Sequence, residues 1–84
     1  MATVEERVMA VTGRVLKVDP EQIKSSDNFT TDLGAESVQS IELVASFEEE
    51  FGVEMDEEAA LGVETVGDAV QFITKVCQEQ GISI

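Results

Sequence analysis

Apolar residues recur along the chain at three- and four-residue steps, separated by short polar stretches. In the first segment, from about Ala2 to Val18, Val4, Val8, Val11 and Val15 fall on one side with Leu16 beside them. That spacing predicts an amphipathic helix. Thr3 and Glu6 have the separation of a capping box at its start. Asp19-Pro20 ends it, because proline fits poorly inside a helix and disfavours helical geometry in the residue before it. A second helix is predicted from about Glu36 to Phe51. Val38, Ile41, Val44 or Ala45, Phe47 or Glu48, and Phe51 supply the stripe, Leu43 widens it, and Gly52 offers a left-handed C-cap. A short helix follows, with Asp56 as N-cap and Gly62 as its close. The last, from about Val66 to Gln80, is capped by Thr65, carries Val66, Ala69, Val70, Ile73, Val76 and Cys77 as its stripe, and ends at Gly81.

Residues 20 to 35 read as a long loop. Pro20 to Ile23 can form one helical turn, and "SSDNFTTDLG" is rich in turn formers. Phe29 and Leu33 are expected to pin this loop onto the core, since a loop of that length needs an anchor. No strand alternation competes. The expected fold is all-α, a small three- to four-helix bundle with a long loop between the first two long helices. One domain over residues 1–84 fits a chain of 84 residues, which can bury one modest core but not a deep catalytic cleft as well.

Charge changes this picture most. Eighteen acids against five bases give a net charge of −13, and the interval between Lys24 and Lys75 holds thirteen acids and no base. Such a field repels nucleic acid and anionic membrane surfaces and attracts basic protein patches. The solvated-face reading of charge runs is the bland alternative. The clustering of the acids in one interval favours steering toward a cationic partner. The last turn of the second helix carries Glu48, Glu49 and Glu50, where the helix dipole prefers cations, so these acids need a reason other than helix stability.

The chain has no histidine and one cysteine, Cys77. A Ser-His-Asp triad, a Cys-His pair, a zinc site and an internal disulfide are thereby excluded. Cys77 reads as a small core residue. No basic-then-apolar leader and no membrane-length apolar run occur, so a cytoplasmic monomer is the expectation, without membrane insertion.

Ser37, in "DLGAESVQS", stands out against these absences. It lies where the second helix should begin, so it can be an N-cap. Glu36 and Asp32 are also placed to cap, however, and the glycine turn before Ser37 would lift its hydroxyl out at the tip of the bundle. Without a base nearby the serine is a poor nucleophile. It is a good acceptor for a group delivered by an enzyme that docks on the acids.

The stretch "DNFTTDLGAESVQSIELVASFEEEFGVEM" resembles the acyl carrier proteins, whose pattern here is F-x-x-D-L-G-A-D-S-L, then E-L-V, then E-E-E-F. Phe29, Asp32, Leu33, Gly34, Ala35 and Ser37 match, as do Glu42, Leu43, Val44, Glu48, Glu49, Glu50 and Phe51. "VDPEQI" and "DEEAALGVETVGDAVQFI" extend the similarity over nearly the whole chain. The resemblance implies a non-enzymatic carrier in lipid biosynthesis. Ser37 would bear 4′-phosphopantetheine through a phosphodiester, and the arm's thiol would hold acyl chains as thioesters. It implies a phosphopantetheinyl transferase as loading partner. Ketoacyl synthases, acyltransferases and other acyl-processing enzymes with basic patches would then dock at Glu36, Val38, Glu42, Glu48, Glu49 and Glu57. It also implies an acyl-chain cavity near Val44, Phe47, Leu61, Val63 and Ile73.

Some residues depart from the family pattern. Glu36 stands for a usual Asp, Val38 for Leu, Gln39 for a frequent acid, Asp56 for a frequent Pro and Gly62 for a helix former, and the tail "GISI" is unusually apolar. These departures leave two readings open, a general fatty-acid carrier and a carrier dedicated to one lipid or secondary-metabolite pathway. The competing class is an unmodified acidic helical adaptor that binds a basic partner and ignores Ser37.

Overall fold

The structure, a computed structural model, describes residues 2–83. Among the described residues four helices form in chain order: α1 over Val4–Leu16, α2 over Ser37–Phe51, α3 over Glu57–Leu61 and α4 over Val66–Glu79. A single 3-10 turn, Pro20–Gln22, follows α1. The expected all-α bundle with its long first loop is what forms, with the end of α2 at Phe51 and the start of α4 at Val66 as expected and the other ends of the three long helices one or two residues inside the expected bounds. Among the described residues no helix is long and apolar enough to cross a membrane.

The caps explain the boundaries. Thr3 Oγ1 accepts from Glu6 N–H at 3.1 Å while the Thr3 N–H donates to Glu6 Oε1 at 3.0 Å, closing a capping box. The Thr3 backbone and hydroxyl together hold the Glu6 carboxyl below its usual range. Asp19, Asp56 and Thr65 each accept a first-turn N–H of the element they precede. Gly52 caps α2 in the left-handed region at φ 66°.

Val8 and Val11 of α1, Leu43, Phe47 and Phe51 of α2, and Val66, Ala69, Ile73, Val76 and Cys77 of α4 form the centre of the core. Thr12 is buried among them, and its hydroxyl donates to Val8 O at 2.8 Å, so no polar group is stranded there. Ile82, just past α4, packs on this core and its N–H donates to Cys77 O at 2.8 Å. Ile84, the end of the apolar tail, lies outside the described residues.

Arg7 ties α1 to the end of α2. Its Nε donates to Glu50 Oε2 at 2.9 Å, its Nη2 to Glu50 O at 2.8 Å, and its guanidinium lies 4.3 Å from the centre of the Phe51 ring. A cation thus meets the negative end of α2 from a neighbouring helix. Two of the three acids in that last turn have structural partners, because Glu48 Oε2 also accepts from Met55 N–H at 2.8 Å. The expectation of recognition alone is therefore corrected: Glu48 and Glu50 also hold the fold together.

The core stripe of α2 differs from the expected one. Leu43, Phe47 and Phe51 face inward at four-residue steps, whereas Val38 and Ile41 are 65% and 50% exposed. At 100° per residue, Leu43 and Phe47 lie on the side opposite Val38. The sequence could not tell the two apolar faces of this helix apart.

Candidate functional site

The long loop delivers the chain to α2 in a fixed shape. Phe29 and Ala35 are buried and Leu33 is half-buried, so the expected anchor is in place. Asn28 organises the turn: its Oδ1 accepts from the N–H groups of Thr30 and Thr31, and its O accepts from those of Asp32 and Leu33. Asp32 Oδ2 accepts from Asn28 N–H at 2.7 Å. Asp32 is therefore committed to the loop and does not cap α2. The loop is also stitched to the start of α4, with Phe29 N–H donating to Glu64 O, Val66 N–H to Asp27 O and Gly67 N–H to Ser25 O. Gly34 then turns the chain at φ 73°, a left-handed conformation that favours glycine.

The N-cap position of α2 falls to Glu36, whose N–H donates to Gln39 Oε1 at 3.0 Å. Ser37 is the first helical residue and is exposed. Its hydroxyl makes no hydrogen bond among the described residues. Of the other described serines, Ser40 and Ser46 are half-buried on α2, Ser25 and Ser26 sit in the loop, and Ser83 follows the last helix. Ser37 alone of these combines an exposed hydroxyl with the first turn of a long helix.

Two spaces flank α2. A half-open cavity of about 350 Å³ lies among α2, α3, α4 and the loop. Val44, Phe47, Leu61, Val63 and Ile73, the five residues singled out from sequence, all line it. Sequence reading missed Met55 and Phe72 in its wall and a polar portion made by Asn28, Thr30, Thr31, Ser40 and Glu64. The wall residues carry no signal of their own, because an apolar residue beside a cavity looks like any core residue. A second, open space of about 180 Å³ lies between α2 and α3. Val44 and Met55 line both.

On the outer face, Val38, Glu42, Ala45 and Glu49 follow at helical steps and all are exposed. Glu36 stands at the head of this helix and Glu57 at the start of α3, both exposed, while Glu48 is half-buried. The acids named from sequence thus gather around α2 and the start of α3, with apolar residues among them. Ile41 and Ala45, read only as stripe positions, belong to this outer surface.

A family model described as a phosphopantetheine attachment site matches residues 6–73. An acyl carrier protein of Caulobacter vibrioides is 45% identical over 75 residues, 89% of this chain and 96% of that protein. One of Sinorhizobium fredii is 48% identical over the same shares of the two chains. The chain belongs to the acyl carrier protein family. A solved structure from Mycobacterium tuberculosis, assigned as an acyl carrier protein, superposes with a TM-score of 0.80 at 27% identity, over 87% of this chain and 97% of that one. Acyl carrier proteins are carriers rather than enzymes, their cofactor is phosphopantetheine, and acyl-processing enzymes are their partners. Membership favours the carrier over the unmodified adaptor.

The residues present fit that cofactor. A phosphodiester on the first residue of α2 would place its negative charge at the positive end of a 15-residue helix. That favourable field works against the nearby carboxylate of Glu36. The bound group supplies a thiol for acyl thioesters. The protein supplies an exposed serine oxygen, a hydrogen-bonded loop behind it and, from Ser40 onward along the same helix, part of the lining of a cavity.

Proposed function

We propose that Ser37 is the residue that carries phosphopantetheine, and that the half-open cavity beside α2 shelters the acyl chain between partner visits. One observation carries this reading: the exposed, uncommitted hydroxyl at the head of α2 stands at the end of a helix whose inner side lines an apolar space of about 350 Å³. Val44, Phe47, Leu61, Val63 and Ile73 would contact the chain. A space of that size lies at the small end of ligand pockets, consistent with one chain and no more.

Glu36, Val38, Glu42, Glu48, Glu49 and Glu57 form the surface offered to partners. A phosphopantetheinyl transferase would dock there first, then ketoacyl synthases, acyltransferases and related enzymes with basic patches. Attraction between exposed charges gives fast, salt-sensitive encounters that do not delay departure. The domain acts as a monomer over residues 1–84, in the cytoplasm, where a chain with one cysteine and no disulfide is at home.

The test is loading in vitro. Apo protein incubated with a phosphopantetheinyl transferase and coenzyme A should gain the mass of one phosphopantetheine, and Ser37→Ala should gain none. An equal gain on the variant would overturn the assignment.

A further inference from the structure

Past residue 73, where the family match ends, the chain makes a contact of its own. α4 runs on to Glu79 and the chain then turns back. Ile82 N–H donates to Cys77 O at 2.8 Å and Gly81 N–H to Gln78 O at 3.3 Å, the two bonds of a Schellman motif. Ile82 packs on the core, which fixes this turn and with it the C-cap residue Gln80. The Gln80 side chain reaches the segment between α2 and α3. Its Oε1 accepts from Glu54 N–H at 3.1 Å, and its Nε2 donates to Glu54 O. One carboxamide thus satisfies both backbone groups of a loop residue.

We propose that Gln80 is a positioning residue for the acyl-chain cavity: it holds Glu54, and through it Met55 and α3, where the cavity wall requires them. The inference rests on the carrier reading, since it concerns the cavity which that reading gives to the chain.

Glu54 lies between Val53, which is buried, and Met55, which lines the cavity. The N–H groups of Gly52 and Val53 donate to Glu48 O, and that of Met55 to Glu48 Oε2. Those three residues are therefore held from α2, and Glu54 is held from beyond the end of α4. Gln80 is the tie between the segment and the last helix. α3 depends on that tie. None of its five residues is buried, although Ala60 and Leu61 line the cavity. A helix so short is not stable alone and takes its place from what holds its ends. The far end is fastened to the long loop, where Phe29 N–H donates to Glu64 O. The near end is fastened by Glu48 and Gln80. A carboxylate in place of the carboxamide would have no donor for Glu54 O, and an apolar side chain would offer neither group.

The experiment compares the wild type with Gln80→Ala and with Gln80→Met, which keeps the side-chain length and removes both bonds. In the apo proteins, hydrogen exchange at the Glu54 amide should speed about fivefold in both variants, the scale of one net hydrogen bond. The holo proteins are then loaded with octanoyl or acetyl groups, and the thioesters are cleaved with neutral hydroxylamine. Cleavage of the octanoyl thioester should be about fivefold faster in both variants, equivalent to about 1 kcal/mol of lost shelter. The acetyl thioester, whose chain is too short for the cavity to hold, should be cleaved at the wild-type rate. Thr3→Ala weakens the α1 cap without touching this segment, so it should leave both rates unchanged. Unchanged exchange at Glu54 or an unchanged octanoyl rate overturns the proposal. So does an acetyl rate raised as much as the octanoyl one, or an equal rise in Thr3→Ala. Loading at Ser37 is read separately by mass, so the brace can fail while the carrier reading stands.

Discussion

Glu48 Oε2 accepts a hydrogen bond from the Met55 backbone N–H at 2.8 Å, closing the turn between α2 and α3. Met55 is one of two residues shared by the larger cavity and the smaller open space between α2 and α3. A half-buried acid that reads as a docking charge is thus also a structural strut. Glu48→Ala should lower stability by about 1 kcal/mol, the scale of one intramolecular hydrogen bond. Glu49→Ala, fully on the surface, should stay within about 0.5 kcal/mol. Urea unfolding of the two variants separates the roles, and equal effects would contradict the strut.

Gly13 lies inside α1, where alanine normally gains about 1 kcal/mol over glycine. Here a Cβ would meet Val18 O at 2.6 Å and Pro20 Cγ at 2.8 Å. Crowding of that kind costs about 1–3 kcal/mol. Gly13→Ala should therefore be destabilising on balance, with a melting temperature lower by several degrees. A rise would show that the loop after α1 yields easily.

These two sites show what a sequence can and cannot convey. The helices, their caps and the 3-10 turn at Pro20 follow from local periodicity and local hydrogen bonding, which neighbouring residues encode. The place of Ser37 at the head of α2 was legible for the same reason. The facing of α2 was not, because Val38 and Ile41 are as apolar as Leu43 and only tertiary packing decides which side is buried. The Glu48–Met55 bond, the Arg7 clamp on Glu50 and the sharing of Val44 and Met55 between the two spaces depend on chain paths that turn residues alone do not specify.

Cys77 is fully buried, and burial pushes its thiol pKa up, against a smaller opposing effect of Arg7. The folded state therefore favours the neutral thiol. Its contribution to stability is complete below the unfolded thiol pKa of about 8.5 and is lost as pH rises through the higher folded value. Under native conditions iodoacetamide should leave Cys77 unmodified, and unfolding should expose one thiol in the apo protein. Holo protein should label once when native, on the arm, and twice when unfolded. Ready labelling of native apo protein would contradict the burial.

Among the described residues the one ion pair is Arg7–Glu50, at 2.9 Å. The thirteen acids between Lys24 and Lys75 are otherwise free to repel one another. Raising ionic strength to about 0.1 M shortens the screening length to about 10 Å and should raise the melting temperature. Among the described residues no group of three or more acids is arranged to hold a metal. Divalent cations should therefore act gradually, without saturating at one equivalent. A flat response to salt, or stoichiometric saturation, would go against diffuse repulsion.

The central claim is that Ser37 carries the arm. Intact-mass and fragment spectra of the protein purified from its native source test it most directly. The account predicts one phosphopantetheine, free or acylated, located on Ser37. A protein with no such group, or with the group on Ser40 or another serine, would contradict it.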